Sequence, residues 1–591
     1  MPFGAELRDD GVAFRLWAPS RERASVIVDG AEHMLEPRAA GWFERTVRDA
    51  RAGSRYGFAF PGFGVHVPDP AARFAPGGVH APSEVVDPCA YVWRETAWLG
   101  RPWHETVLYE LHVGTFTPEG TYAAAAERLD DLVRLGVTAV ELMPLAQPAG
   151  TRNWGYDGVL PFAPQHAYGT PGDLKAFVEA AHARGLSVFL DVVYNHFGPE
   201  GNYLHAFAEP FFTERHHTPW GAALNVDGEH AGVVREFFVQ NALYWLREYR
   251  FDGLRLDAVH EIRDDSRRPF LDELAARVRA DVEPGRHVHL VLENDANDAR
   301  RLAVYDAQWN DDAHHALHVL VTRERDGYYR DYADEPARLL GRALAEGFAY
   351  QGEPSAHRGG APRGEPSASL PATAFVDFLQ NHDQIGNRAL GERIAALAPD
   401  DAVRAATAVV LLAPAIPLLF MGEEWAASTP FLFFSDFGEE LGQAVTEGRR
   451  REFAAWASFA GPTARERIPD PQDPATMRAS VLRWDERAQP SHAAVLAFHE
   501  ELLALRGGLI VPRLAHGAHG DGYQLLAKTA LRVKWRFGDG SRLGLIANLG
   551  PEPATVSYAI GGVRVFALGD VPAHADATAL APWSAGWFLE S

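Results

Sequence analysis

Four carboxylates stand at the ends of apolar runs in this sequence: Asp191, Asp257, Glu293 and Asp383. Burying a carboxylate in an apolar run costs free energy unless the carboxylate is paired with a cation or has a chemical function. A single residue of this kind would most often belong to a structural salt bridge. Four of them at equivalent positions favour a shared chemical task, so the pattern indicates chemistry performed by carboxyl groups.

The spacing around Asp257 suggests two different roles for neighbouring carboxyls. Arg255 and Asp257 are two residues apart on a predicted strand, so both side chains face the same side, and the guanidinium should lower the pKa of Asp257. Glu293 ends the next strand, near Asp257 and Asp383, and like charges should raise its pKa. An ionised carboxylate beside a protonated carboxyl is what retaining glycoside hydrolysis requires.

Histidines and aromatic residues surround these carboxylates in the sequence. His196 and His382 could donate hydrogen bonds to sugar hydroxyls, although each could equally be a core histidine or a loop brace. Aromatic residues on which sugar rings could stack fall in the predicted loops, and for any one of them loop anchoring is the alternative; they are Trp154, Tyr156, Trp220, Trp309, Tyr328, Tyr329 and Trp425.

The elements that must position these residues alternate between strands and helices over residues 93–485. Eight strand-like runs are recognisable, at Val107–Val113, Thr138–Leu142, Val188–Val193, Gly253–Asp257, Val288–Glu293, Val304–Trp309, Ala374–Gln380 and Pro417–Met421. Helical segments lie between most of them, so we predict an α/β fold, a (β/α)8 TIM barrel with loop insertions. A doubly wound open sheet is the alternative, but no G-x-G-x-x-G motif follows the first strand.

Two of the predicted helices have clear end signals. Thr121 should cap a helix in which Leu129, Leu132 and Val133 share one face and which ends at Gly136. Thr170 and Pro171 should begin a second helix that carries apolar residues at helical spacing up to Gly185.

The two flanking parts have β character. Residues 1–92 contain short strands with Gly and Pro punctuation, which predicts an N-terminal β-sandwich, either a structural cap or a carbohydrate-binding module. In residues 486–591, apolar and polar residues alternate from Leu531 to Phe537, which predicts a strand. A Gly-Asp-Gly turn follows at 538–540, and Leu543–Ala547 is predicted to be the antiparallel return strand. This part is predicted to be an antiparallel β domain of sandwich type.

Composition excludes several classes of protein. The 591 residues carry 56 basic and 79 acidic side chains, a net charge of −23, which argues against a nucleic-acid partner. The single Cys89 excludes a disulfide framework and a multi-cysteine metal site. Met1–Asp10 is not a secretory signal, and Ala405–Met421 predicts a buried helix and strand instead of a membrane span. We expect a cytoplasmic monomer without membrane contact or cofactor.

Four of these segments resemble the successive signature regions of the alpha-amylase family of glycoside hydrolases. They are Asp191-Val-Val-Tyr-Asn-His196, Gly253-Leu-Arg-Leu-Asp257, Glu293 and Asn381-His-Asp383. The resemblance implies that Asp257 is the nucleophile, Glu293 the acid/base and Asp383 a ligand of the distorted sugar. It further implies that Arg255, Asp191, His196, His382 and Tyr156 surround the same ring. His260 stands where many amylases have Lys. No calcium loop is evident, although Asn195 matches the family's calcium Asn, so no metal site is predicted.

Further segments narrow the resemblance. Tyr109–Phe116 and Asn153–Gly158 are similar to the subgroup that contains glycogen branching enzymes, debranching enzymes and trehalohydrolases. Glu293–Asp298, Trp309–His318 and Ile468–Thr476 are similar to the trehalohydrolases. This resemblance implies cleavage of the α-1,4 bond next to the terminal trehalose of a malto-oligosyltrehalose, with Trp309, Asp311 and Asp312 as candidate contacts for trehalose. A branching or debranching enzyme, and a non-catalytic glycan-binding protein, are the alternatives.

Overall fold

Eight parallel strands form a closed barrel at the centre of the chain. A computed structural model describes residues 2–455, 459 and 461–591. In chain order the barrel strands are β1 (Leu108–Leu111), β2 (Ala139–Leu142), β3 (Ser187–Val192), β4 (Gly253–Leu256), β5 (His289–Leu292), β6 (Ala307–Trp309), β7 (Phe375–Phe378) and β8 (Ile416–Phe420). Each overlaps a predicted run, and β8 pairs with β1 to close the ring. The barrel prediction is therefore confirmed, and the open sheet is excluded.

Helices cover the outside of the barrel. The principal ones are Tyr122–Ala126, Leu129–Leu135, Pro171–His182, Ala231–Glu248, Phe270–Asp281, Asp311–Thr322, Pro336–Glu346, Asp400–Leu412 and Pro490–Leu505. Further helices in the loops are Val113–Phe116, Leu204–Phe207, His382–Gly386, Ile394–Leu397, Glu439–Glu452, Pro462–Arg465, Pro474–Ala479 and Val511–Leu514. Loop hairpins are Ala146–Pro148 with Gly158–Pro164, Phe212–Thr218 with Gly221–Leu224, and Glu353–Pro354 with Pro362–Arg363. In the part of the chain that is described, no helix is both long and apolar enough to cross a membrane.

The helix predicted from Thr121 to Gly136 is in fact two helices. Thr121 caps the first, accepting from the backbone N–H of Ala124, and Gly136 ends the second with φ of 101°. The predicted shared face of Leu129, Leu132 and Val133 is wrong at Val133, because this residue is 41 % exposed, whereas Leu135 lies on the buried face with the two leucines. The second predicted helix is confirmed, with a capping box between Thr170 and Asp173.

The inside of the barrel has an apolar layer below a charged one. Apolar side chains including Leu108, Phe189 and Val291 pack together in the lower layer. Because side chains on a strand alternate between its two faces, the residues two positions further on also point inward. On β1 to β4 these are Glu110, Glu141, Asp191 and Arg255, each at most 2 % exposed. This inner charged layer lies at the carboxyl end of the barrel, where TIM barrels place their reactive groups.

The N-terminal part is a sandwich of two four-stranded antiparallel sheets. One sheet contains, in order, Gly4–Arg8, Gly11–Trp17, Trp42–Val47 and Glu36–Pro37; the other contains Ala31–Met34, Ser25–Val28, Arg55–Ala59 and Ser83–Glu84. Aromatic rings join it to the barrel, with Phe60 stacked on Phe207 and Phe3 edge-on to Phe237. The predicted β-sandwich is thus confirmed, and one of its edges is a structural contact.

The C-terminal part consists of antiparallel sheets. Five strands lie in the order Ala518–Ala527, Ala530–Phe537, Arg542–Asn548, Ser584–Glu590 and Val563–Leu568, and a further pair is Ala554–Ala559 with His574–Leu580. The domain boundaries near residues 92 and 485 stay predictions. Helix Pro490–Leu505 packs against helices Leu129–Leu135 and Asp400–Leu412, so we propose that the barrel layer extends through it.

Candidate active site

A single guanidinium group joins three of the predicted carboxylates. Arg255 on β4 donates from Nη1 to Asp191 Oδ2 at 2.7 Å and to Asp257 Oδ1 at 2.9 Å, and from Nη2 to Glu293 Oε2 at 2.8 Å. The Arg255 side chain is fully buried, and the ring of Trp309 lies 4.1 Å from its Cζ atom. Since β3, β4 and β5 are neighbours in register, the strands themselves bring these groups together.

The two carboxyls that follow β4 and β5 have opposite protonation preferences. Burial alone would raise the pKa of Asp257, but the charge of Arg255 and the amide of Asn195, at 2.8 Å from Oδ2, hold it below its usual value. Burial and the charges of Asp257 and Asp383 raise the pKa of Glu293 well above its usual value, against the pull of Arg255. Because both carboxyls accept hydrogen bonds from the Arg255 guanidinium, they lie side by side.

The backbone after Asp257 turns sharply to reach Glu293. Ala258 has φ of 39° and ψ of 50°, in the left-handed region that non-glycine residues seldom adopt. In this conformation its N–H donates to Glu293 Oε2 at 2.8 Å. The local strain therefore serves to hold the second carboxyl against the first.

Asp191 and His382 form the opposite wall. Tyr156 donates its hydroxyl to Asp191 Oδ2 at 2.6 Å and stacks on the His382 ring with centroids 5.0 Å apart. Burial is the largest cause that raises the pKa of Asp191, to about 6. His382 forms a buried ion pair with Glu110; burial lowers its pKa, but Glu110 and Asp383 raise it to about 9. A cationic imidazole therefore adjoins the carboxylates.

Asp383 lies in the first turn of the short helix His382–Gly386, at the mouth of the barrel. Asn381 caps this helix by accepting from the N–H groups of Asp383 and Gln384, and Asn387 donates to Asp383 Oδ1 at 3.1 Å. The Asp383 side chain is 37 % exposed. It is thus the most open of the three predicted catalytic carboxylates, facing the cleft above the buried pair.

His196 and Trp220 lie together at one side of the cleft. The two rings stack with centroids 4.3 Å apart, and His196 Nε2 is 3.0 Å from the carbonyl oxygen of Tyr156. Trp220 is 51 % exposed, which leaves an open face on which a sugar could stack.

The predicted contacts for trehalose divide into open and buried residues. Asp311 is partly exposed, and burial, with the charges of Asp295 and Asp383, raises its pKa to about 7. His260 is also partly exposed and accepts from the N–H of Asp295 at 3.3 Å. Asp312, in contrast, is fully buried and ion-paired with Arg363, so its place in the structure corrects its prediction as a trehalose contact.

Trp309 and Trp425 are also more buried than the sequence suggested. Trp309 is 2 % exposed and touches Arg255 from below, so it supports the site without reaching the open cleft. Trp425 is fully buried against Trp484. Trp154 stacks on Phe431 with 5 % exposure.

Sequence reasoning missed two acidic residues of the inner charged layer. Glu110 is the ion-pair partner of His382, and Glu141 has no hydrogen-bond partner for either carboxyl oxygen among the described residues. Burial and the neighbouring Glu110 and Asp191 raise the pKa of Glu141 well above its usual value, which favours the protonated form. The sequence does contain a signal that could have identified them, because each of these glutamates lies inside an apolar strand-like run.

One cluster in the described part of the chain has metal-ligand types at short range. Ligand atoms of His216, Asp227 and Asp265 lie within 4.8 Å of one another. Asp227 already accepts from His216 at 2.9 Å and pairs with Arg215, so these groups satisfy one another. Asn195, which matches the calcium Asn of the alpha-amylase family, donates to Asp257 Oδ2 at 2.8 Å.

Comparison with known proteins decides the family. The chain matches models of three domains: carbohydrate-binding module 48 (isoamylase N-terminal domain) over residues 2–90, the alpha amylase catalytic domain over 105–220, and a domain of unknown function (DUF3459) over 518–587. It is 46 % identical over 560 residues to the malto-oligosyltrehalose trehalohydrolase of Deinococcus radiodurans, covering 93 % of this chain and 89 % of that protein.

The chain belongs to the malto-oligosyltrehalose trehalohydrolase family.

Two further comparisons place this trehalohydrolase family member among its neighbours. A crystal structure of a putative alpha amylase from Salmonella typhimurium superposes with a TM-score of 0.93 at 44 % identity, covering 100 % of this chain and 99 % of that one. A 1,4-alpha-glucan branching enzyme of Burkholderia thailandensis is 34 % identical over 277 residues, covering 42 % of this chain and 33 % of the enzyme. The likeness to trehalohydrolases spans the whole architecture, whereas that to the branching enzyme is partial.

Proposed function

We propose that this chain is a retaining glycoside hydrolase that cleaves the α-1,4-glucosidic bond next to the terminal trehalose of malto-oligosyltrehalose, releasing trehalose. One observation supports the mechanism most directly: Asp257 and Glu293 are bound to one guanidinium and have pKa values displaced in opposite directions. Retaining glycosidases need their two carboxyls close together, about 5–5.5 Å apart, because no water enters between them in the first step.

In the first step, Asp257 acts as the nucleophile. A carboxylate oxygen of Asp257 attacks the anomeric carbon of the glucose that precedes trehalose, and the bond from this carbon to the trehalose oxygen breaks. Glu293 gives its proton to that oxygen, so trehalose leaves as a neutral sugar. The raised pKa of Glu293 favours the protonated form that this step requires.

In the second step, water releases the maltodextrin. Glu293, now ionised, removes a proton from water while the water oxygen attacks the anomeric carbon and the bond to Asp257 breaks. Two inversions leave the α configuration unchanged, and Glu293 recovers its proton. Arg255, which stays bonded to both carboxyls, balances the negative charge that moves between them.

The surrounding groups bind the sugar whose bond is cleaved. We propose that Asp383 accepts hydrogen bonds from hydroxyls of the distorted ring, because it is the most exposed of the three carboxylates. His382, His196 and Asp191 take the remaining hydroxyls, and Tyr156 forms the wall on which the ring stacks. The positive charge of His382 strengthens its hydrogen bond to a hydroxyl oxygen.

Asp311 and His260 are the proposed contacts for trehalose. Both are partly open to the cleft, and the charge of Asp311 reaches Glu293. Specificity for trehalose over maltose requires fixed polar groups that the wrong sugar would leave unpaired. Trp309 takes part indirectly, by packing under Arg255.

Product analysis tests this function directly. Incubation with maltotriosyltrehalose should release trehalose and maltotriose, while amylose of similar concentration should change little. New α-1,6 branches in amylose, or release of glucose and maltose from both substrates, would overturn the proposal. Asp257→Asn should abolish trehalose release, whereas the exposed Asp130→Asn, with its side chain on the outside of the barrel, should not.

We further propose that the enzyme is a cytoplasmic monomer with no nucleic-acid partner. The single Cys89 is compatible with a reducing compartment, and the net charge of −23 disfavours phosphate backbones. Light scattering after size exclusion should give the mass of one chain; a mass of two chains would contradict the monomer.

A further inference from the structure

A helix in the loop after β8 reaches the segment that carries Asp383. Helix Glu439–Glu452 is bound at its first residues to the loop after β3, because the N–H of Gly438 donates to Glu200 Oε2 at 2.8 Å. Further along, Thr446 donates its hydroxyl to Asp470 Oδ1 at 2.7 Å. The helix is therefore held in place before its last turn, in which Arg449 lies.

Arg449 binds the end of the short helix His382–Gly386. Its Nη2 group donates to the carbonyl oxygen of Gly386 at 2.7 Å and to that of Arg388 at 2.9 Å. Burial lowers the pKa of Arg449, but only to about 10, so the guanidinium keeps its charge at neutral pH. A cation at this end satisfies carbonyl groups that lack a partner within the helix and meets the negative end of the helix dipole.

The short helix depends on contacts from outside itself. It has five residues, whereas isolated helices shorter than about 12–15 residues are marginal in water. Asn381 caps its first turn, and Gly386 packs so closely on Trp154 that a Cβ atom there would overlap the indole. Arg449 supplies the remaining contact, at the C-terminal end.

Asn387 connects that end of the helix to the carboxylate. Asn387 lies between the two residues whose carbonyl groups Arg449 binds. Its backbone N–H donates to the carbonyl oxygen of Asp383 at 3.0 Å, and its side-chain Nδ2 donates to Asp383 Oδ1 at 3.1 Å. A shift of residues 386–388 would therefore move the amide that orients the Asp383 carboxylate.

We propose that Arg449 is a positioning residue for the hydrolysis, which fixes the backbone of residues 386–388 and, through Asn387, the orientation of the Asp383 carboxylate. The inference rests on the proposed function, in which Asp383 binds hydroxyls of the distorted ring. Arg449 touches neither the sugar nor the reacting atoms in this role. Contacts to the distorted ring are strongest in the transition state, so their misplacement should lower kcat more than it raises KM.

Substitutions of Arg449 test the proposal with maltotriosyltrehalose as substrate. Arg449→Met removes the donors and the charge, and should lower kcat about ten- to hundredfold while KM changes less than about threefold. Arg449→Lys keeps a charged donor and should recover part of that loss. Arg451→Met, at an exposed arginine in the same helix turn, is the matched control and should change neither constant. An unchanged kcat in Arg449→Met, or a rise of KM alone, would contradict the proposal.

A double-mutant cycle separates positioning from a merely structural role. Asp383→Ala lowers kcat by itself, and its residual rate is measured in single turnovers at high enzyme concentration. Adding Arg449→Met should then change the rate less than about twofold, because the carboxylate that Arg449 orients is already absent. A further loss as large as that in the wild-type background would show that Arg449 acts by another route and would overturn the proposal.

Two controls keep the result readable. Urea unfolding shows whether Arg449→Met is folded. If it is not, Asn387→Ala removes the next link with Arg449 in place and should lower kcat in the same way; an unchanged kcat would refute the positioning. A wild-type chain that leaves maltotriosyltrehalose intact would refute the proposed function, whereas an active wild type beside a fully active Arg449→Met would refute the positioning alone.

Discussion

The buried pair of Glu110 and His382 gives a prediction whose size follows from the structure. Both side chains are 1 % exposed, and the pKa of His382 is raised from 6.5 to about 9. At about 1.36 kcal/mol for each tenfold change in proton affinity, this difference corresponds to about 3 kcal/mol of stability. Glu110→Gln keeps the shape of the side chain but removes the charge, so it should cost about 3 kcal/mol below pH 6.5.

The pH dependence of that loss is the decisive feature. A group whose pKa is higher in the folded state stabilises fully below its unfolded pKa, and the contribution disappears as pH rises through the folded pKa. The difference between wild type and Glu110→Gln should therefore be largest below about pH 6.5 and should shrink as pH rises to about 9. In the variant, burial keeps His382 neutral, so the charge beside Asp383 is also lost.

Two assays follow the pair. Urea unfolding monitored by tryptophan fluorescence, from about pH 5.5 to about pH 9.5, gives the difference in the free energy of unfolding. The value of kcat/KM for maltotriosyltrehalose gives the catalytic effect, and we expect it to fall at least about tenfold. Glu119→Gln, at an exposed glutamate, is the matched control and should change neither. A stability loss that is the same at every pH would refute the ion pair, even if the variant were less active.

Three further substitutions address the catalytic pair. Glu293→Gln should lower kcat by about 10²–10⁴, and a substrate with a good leaving group should recover the first step; unchanged kcat on maltotriosyltrehalose would contradict the acid role. Arg255→Gln should move the acid limb of the kcat/KM profile to higher pH, because Asp257 loses the positive charge that lowers its pKa; an unmoved limb would show that Arg255 does not set it. Ala258→Gly relieves a left-handed backbone and should raise stability by up to about 1–2 kcal/mol in urea unfolding, whereas a loss would show that the conformation is not strained.

Much of the barrel and of its carboxylates could be predicted from the sequence because both leave local signals. Each parallel strand is a short apolar run, and Asp191, Asp257 and Glu293 stand at the ends of such runs. Arg255 lies two residues from Asp257, so their shared face follows from strand geometry alone. The pairing of these two groups was therefore predictable without any knowledge of the fold.

Other features depended on contacts that sequence spacing does not show. Glu110 and His382 are far apart in the chain, and only closure of the barrel brings β1 beside the segment after β7. The position of Trp309 at the end of a strand was predictable. The sequence does not show, however, that its ring packs under Arg255 instead of lying open in the cleft. Val133 fits a helical period with Leu129 and Leu132, yet Leu135 completes the buried face of this helix and Val133 faces solvent.

The closure of the ring also sets when this enzyme can first work. Strand β1 pairs with β8, and the imidazole that meets Glu110 comes from residue 382. A chain emerging from the ribosome can complete its N-terminal sandwich early, because domains fold as units during synthesis. The catalytic centre, in contrast, must wait until β8 has been made and has travelled back to the first strand. A fragment that stops before Ile416 would leave Glu110 on an open sheet edge, so premature termination should yield an aggregation-prone chain without residual activity.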